Sequence, residues 1–135
     1  MKEIILEKGK KLYFASDNHL GAPTYKESRE REVRFVHWLD TIKADAGALF
    51  LLGDLFDFWF EYKTVVPRGF VRVLGKLAEL KDSGLPIFFF VGNHDLWMSD
   101  YFEQELGIPV YYRPQEFLCE GKRFLIGHGD GLSRG

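Results

Sequence analysis

Apolar positions along the chain change spacing in a way that marks out elements. The opening "EIILEKGKKLYFAS" sets two apolar stretches on either side of Lys8-Gly9-Lys10, which predicts a hairpin whose second strand ends near Ser16. In "ESREREVRFVHWLDTIKADA", Phe35, Trp38, Leu39 and Ile42 recur at helical spacing with charges between them, so an amphipathic helix is expected. The run "KESRERE" reads as its solvated face, with arginines able to meet an anionic head group. The short run "ALFLLG" reads as a buried strand. Phe70, Val73, Leu74, Leu77 and Leu80 mark a second helix, ended by Ser83-Gly84 before Pro86, and the strand "PIFFFV" follows. Ser99 is placed to cap a short helix over "DYFEQELG", stopped by Gly107-Ile108-Pro109. The segment "EFLCEGKRFLIG" reads as a second hairpin turning at Gly121. Strand, helix, strand, helix, strand is the signature of βαβ crossovers, hence of an α/β fold with a parallel sheet covered by helices. With no repeats or linkers, residues 1–135 are expected to form a single domain.

Composition narrows the classes. A chain of 135 residues with 46% hydrophobic and 16% aromatic residues is long enough for a substantial core. Its 18 basic and 20 acidic residues nearly cancel, for a net charge of −2, so the broad positive footprint of a nucleic-acid binder is missing and no nucleic acid is expected as partner. The single cysteine, Cys119, reads as a buried strand thiol and supports neither a disulfide framework nor a thiolate cage. No apolar run reaches the roughly 18 to 20 residues that span a bilayer, and "MKEIILEKGKK" lacks the long apolar centre of a signal peptide. The expected location is cytoplasmic, with room for peripheral membrane contact.

The chemistry collects past the strands. Asp17 and His19 follow "LYFAS", Asp54 and Asp57 follow "LFLLG", Asn93, His94 and Asp95 follow "FFFVG", and His128 and Asp130 follow "RFLIG". In an open α/β sheet the carboxyl ends of the strands are where ligands bind, because the connecting loops face one another there. Taken singly, Asp17 or Asp54 reads as a turn or capping carboxylate, and Asn93 as a left-handed turn residue. Together, several carboxylates in one cleft would repel one another unless protons or cations intervene. Carboxylate, imidazole and amide donors without thiolate suit manganese, iron, zinc or magnesium. Two such ions about 3.5 to 4 Å apart, bridged by one carboxylate, make water a nucleophile at neutral pH and serve hydrolysis at phosphorus. His37, in the middle of the first helix, matches no motif and reads as a surface or core-edge residue.

Asp17-Asn18-His19, "GDLFD" at Gly53–Asp57, "GNHD" at Gly92–Asp95 and Gly127-His128 resemble four of the five ordered motifs of the calcineurin-like binuclear metallophosphoesterases. The resemblance runs from the first motif to the end of the chain. It implies a layered sheet sandwich with helices outside. It also implies two divalent ions, with manganese preferred: Asp17 and His19 on the first, Asn93 and His128 on the second, and Asp54 bridging both. His94 would contact the phosphate or protonate the leaving oxygen, a role that calls for a pKa near the working pH. Asp57 and Asp95 would orient ligands or catalytic imidazoles. "GDLFDFWFEY", "GNHDLW" and "GHGDGL" are similar to the branch that cleaves UDP-2,3-diacylglucosamine to UMP and 2,3-diacylglucosamine 1-phosphate in the lipid A pathway. His94 departs from that branch, many of whose members carry arginine there. The cluster Phe56, Phe58, Trp59, Phe60 and Tyr62 suits a lipid-facing or base-stacking wall, with core roles for about half of it.

The family's fifth motif, a Gly-His-x-His, is not found, and neither are the helical lid and the strands of the second sheet. The chain is therefore expected to be the amino-terminal part of a longer enzyme. On that reading, the piece alone binds metal weakly, turns over poorly and self-associates through uncovered sheet edges. Two other functions fit: a phosphoesterase of the same fold acting on a nucleotide or phosphoprotein, and a non-catalytic binding scaffold.

Overall fold

In the computed structural model, which describes residues 1–128, the elements run β1 (Lys2–Ile4), β2 (Lys11–Ala15), α1 (Tyr25–Ile42), β3 (Ala46–Leu51), α2 (Val71–Asp82), β4 (Ile87–Phe90), α3 (Tyr101–Leu106), β5 (Val110–Tyr111), β6 (Gln115–Cys119) and β7 (Lys122–Ile126). Strands β2, β3, β4 and β5 form one sheet in that order, every neighbouring pair parallel. A second sheet has the order β1-β6-β7, with β1 parallel to β6 and β6 antiparallel to β7.

Successive strand side chains point to opposite faces, so a strand buried on both sides reads as a continuous apolar run. That is β3. Its Leu49 and Leu51 join Phe35 and Leu39 of α1 and Val73 and Leu77 of α2 in the larger core. Its Ala48 and Phe50 face the other way, into a layer with Ile4, Phe117 and Ile126 of the second sheet. The order is helices, parallel sheet, second sheet. Each large side chain buried in these layers contributes about 1.5–3 kcal/mol.

Several details depart from the sequence reading. The opening hairpin does not form, because β1 and β2 take parallel partners in different sheets and the turn at Gly9 passes the chain from one layer to the other. Strand periodicity identifies a strand without naming its partner. The second sheet, expected to be absent, is represented by three strands. Strand β5 was not anticipated, since two residues are too few to show a period. The hairpin at Gly121 is present, with Glu120 and Gly121 both at positive φ and Cys119 opposite Lys122.

Two helix ends also differ. The segment "KESRERE" is not a wholly solvated face, since Ser28 and Glu32 are buried. The Ser28 hydroxyl accepts a hydrogen bond from Gly21 N at 2.6 Å, and the Glu32 carboxylate accepts one from Val73 N in the first turn of α2 at 3.0 Å. A carboxylate there meets unpaired amides and the positive end of the helix dipole. Helix α3 is capped at Asp100 and not at Ser99, without a side-chain cap bond of its own. The Glu61 carboxylate serves that end from another loop, accepting from Ser99 N at 2.8 Å and from Tyr101 N at 3.1 Å. Cys119 is buried in β6 as expected, and burial raises its thiol pKa. His37 is exposed.

Candidate metal centre

Parallel pairing puts the carboxyl ends of β2, β3 and β4 on one edge, and the chain keeps its loops together beyond that edge. Backbone hydrogen bonds link Leu52 N to Ala15 O (2.7 Å), Asp17 N to Gly53 O (3.1 Å), His19 N to Asp54 O (2.9 Å) and Leu20 N to Leu55 O (2.9 Å). This ladder carries Asp17, His19 and Asp54 to one place. All three take left-handed backbone, with φ of 56°, 47° and 52°. Asn93, which the sequence allowed as a left-handed turn residue within a metal site, does not adopt that backbone.

Two glycines permit the close approach. A Cβ on Gly92 would lie 2.2 Å from Asp54 Oδ1, and one on Gly53 (φ 97°) would lie 2.6 Å from His128 Nδ1. Any larger residue would push the loops apart.

Asp54 is buried at the middle of the arrangement. Its Oδ1 accepts a hydrogen bond from His94 N at 2.8 Å, and its Oδ2 lies 3.6 Å from His128 Nε2. His128 Nδ1 is 2.8 Å from Leu52 O. A carbonyl can only accept, so the Nδ1 carries hydrogen, and Nε2 is the nitrogen that faces Asp54. The same logic applies to His94, whose Nδ1 is 2.9 Å from Asp57 O. The Asp57 carboxylate stands 3.5 Å from Nδ1 of both His19 and His94, and the two rings meet edge to face at 4.7 Å. Asp17 Oδ1 lies 3.8 Å from His19 Nε2.

Asp95 is fully buried and faces the backbone. Its carboxylate accepts from Gly92 N (2.6 Å), Asp54 N (3.3 Å) and Leu55 N (3.0 Å), which fastens the loop after β4 to the loop after β3. Burial pushes its carboxyl above the usual range, the backbone donors pull it back, and the nearby Asp54 charge pushes it up again.

Two sets of side chains place ligand atoms within 4.8 Å of one another: His19, Asp54 and His94, and Asp17, Asp54 and His128. Asp54 belongs to both. Imidazole nitrogens with their other nitrogen held, beside a carboxylate shared by two groups, form a donor set that fits a pair of divalent cations. Asn93 is exposed and lines a cleft of about 140 Å³ together with Gly92, His128 and Arg113, within reach of the second group. Asp130 lies outside the described residues.

The aromatic cluster divides. Phe56 and Trp59 are fully buried core, whereas Phe58, Phe60 and Tyr62 are exposed. Sequence reasoning missed Glu61, whose Oε2 also accepts from Trp59 Nε1 at 2.9 Å and so ties the "GDLFD" loop to the start of α3. It also missed Arg34, which lies just beyond the run "KESRERE". Gly53 and Gly92, ahead of the motifs after β3 and β4, were the available sign of close packing.

The calcineurin-like phosphoesterase family profile matches residues 10–133. A Porphyromonas gingivalis protein named UDP-2,3-diacylglucosamine hydrolase is 48% identical over 120 residues, covering 89% of this chain and 46% of the relative. A Histophilus somni protein of the same name is 32% identical over 127 residues, covering 91% of this chain and 50% of its own. The chain thus spans about half the length of the curated relatives it matches. Among solved structures, a protein of unknown function, AQ665 from Aquifex aeolicus, shares the fold with a TM-score of 0.56 at 22% identity, covering 87% of this chain and 59% of that one.

Proposed function

The chain belongs to the calcineurin-like phosphoesterase family, and from that premise we propose that it serves metal-dependent hydrolysis of a phosphate ester or pyrophosphate, with UDP-2,3-diacylglucosamine as substrate and UMP and 2,3-diacylglucosamine 1-phosphate as products. The observation that carries the reading is the sharing of Asp54 between two donor groups. The names of the relatives from P. gingivalis and H. somni support the substrate.

Divalent cations, manganese foremost, would supply the Lewis acidity that neutralises phosphoryl charge and lowers the pKa of water. Asp17, His19, Asp54, Asn93 and His128 would hold them. The remaining steps fall to other side chains. Asp57 keeps the His94 ring in place through its backbone carbonyl and sets a carboxylate near the protonated Nδ1. With Nδ1 held in this way, Nε2 is the ring atom that faces the site and through which a proton would pass to the departing oxygen. Asp95 holds the backbone of Asp54 and Gly92 in register, so the shared carboxylate is fixed before substrate arrives.

The test is UMP release from UDP-2,3-diacylglucosamine by the protein that carries this chain, beside simple nucleotide esters, with manganese present. Preference for the glycolipid is expected. Preference for the nucleotide esters would replace the substrate while leaving the chemistry.

A further inference from the structure

Beside Asp17 and His19 runs an open groove of about 430 Å³ whose opposite wall is α1, presenting Arg31 and Arg34. Helix α1 is rich in acids, yet among the described residues neither arginine has a carboxylate within salt-bridge distance. Arg29, one turn earlier, does, with Glu32. Arg31 is anchored by hydrogen bonds from Nη2 to the carbonyls of His19 (2.7 Å) and Ala22, so its position is tied to the loop that carries His19. Arg34 is exposed, one helical turn further on. Two guanidinium groups without a carboxylate partner therefore stand in the same groove as Asp17 and His19.

Guanidinium groups left without a carboxylate partner are available to an anion. Guanidinium presents paired donors that match phosphate oxygens, and it holds its charge at any working pH. A pyrophosphate-linked substrate brings two phosphates. When one sits at the Asp54 centre, the other lies a few ångströms away and needs its own partner. On the side of Asp17 and His19 the groove offers one.

We propose that Arg34, with Arg31 beside it, forms a subsite for the second phosphate of a pyrophosphate diester. This rests on the reading of Asp54 as the centre of phosphoryl chemistry. Arg34 is the adjustable member, since Arg31 is engaged with backbone carbonyls. The subsite selects pyrophosphate diesters over monophosphates, which is a matter of substrate choice and not of bond cleavage.

The experiment is calorimetric titration of two probes, UDP-N-acetylglucosamine as a pyrophosphate diester and UMP as a monophosphate, into the chain with magnesium present. Native chain, Arg34→Gln and Arg34→Lys are compared, with magnesium uptake and thermal melting measured on each. The native chain should favour the diester. Arg34→Gln should weaken the diester about tenfold, the scale of one charge-assisted hydrogen bond, with UMP binding unchanged. Arg34→Lys should retain part of the preference. A native chain without preference, or an Arg34→Gln chain that keeps it, overturns the subsite. Loss of magnesium uptake in the native chain would count against the metal reading instead, so the two failures are separable.

Discussion

Asp17, His19 and Asp54 stand on left-handed backbone, which costs a non-glycine residue on the order of 1–3 kcal/mol. Aspartate and histidine are among the residues that tolerate it best, so the residue types chosen for chemistry are also those that the turns accept. The chemical groups were legible in the sequence because each follows an apolar run. Their backbone was not, since φ depends on how Gly53 and Gly92 let neighbouring loops approach. His94 carries the sharpest prediction at this scale. Its ring is held by Asp57 O, and its Nε2 is free for substrate or metal. His94→Ala should lower turnover by about 10²- to 10⁴-fold, the range for a lost general acid, with metal content intact. Metal analysis beside the rate checks this, and loss of an ion would make His94 a ligand alongside His19 and Asp54.

Elements place these residues. The helices over Tyr25–Ile42 and Val71–Asp82 and the strands β3 and β4 were readable from apolar spacing. The partnering of β1 and β2 was not, because each strand finds a parallel partner that lies far along the chain. Helix α3 was readable in place but not in its capping, which depends on Glu61 from the loop after β3. That carboxylate joins Trp59 Nε1, Ser99 N and Tyr101 N, so it connects the segment bearing Asp54 and Asp57 to the one bearing Asn93 and His94. Glu61→Ala should destabilise the fold by about 1–3 kcal/mol through donors left without a partner. Glu61→Gln, which keeps an acceptor oxygen, should recover part of that in urea unfolding. Equal losses in both variants would show that charge, and not the acceptor geometry, matters.

At the scale of the molecule, the site exists because two sheets meet over one edge. The parallel sheet delivers Asp17, His19, Asp54, Asn93 and His94, and β7 of the second sheet delivers His128 to Asp54 Oδ2 at 3.6 Å. Among the described residues, no helix is long and apolar enough to cross a membrane. The central claim is that one carboxylate serves two cations, and manganese titration by calorimetry tests it most directly. The protein that carries this chain should take up two ions, both held through Asp54. His128→Ala should weaken one site and spare the other, whereas Asp54→Ala should weaken both together. An Asp54→Ala chain that still binds two ions with native affinity would contradict the account.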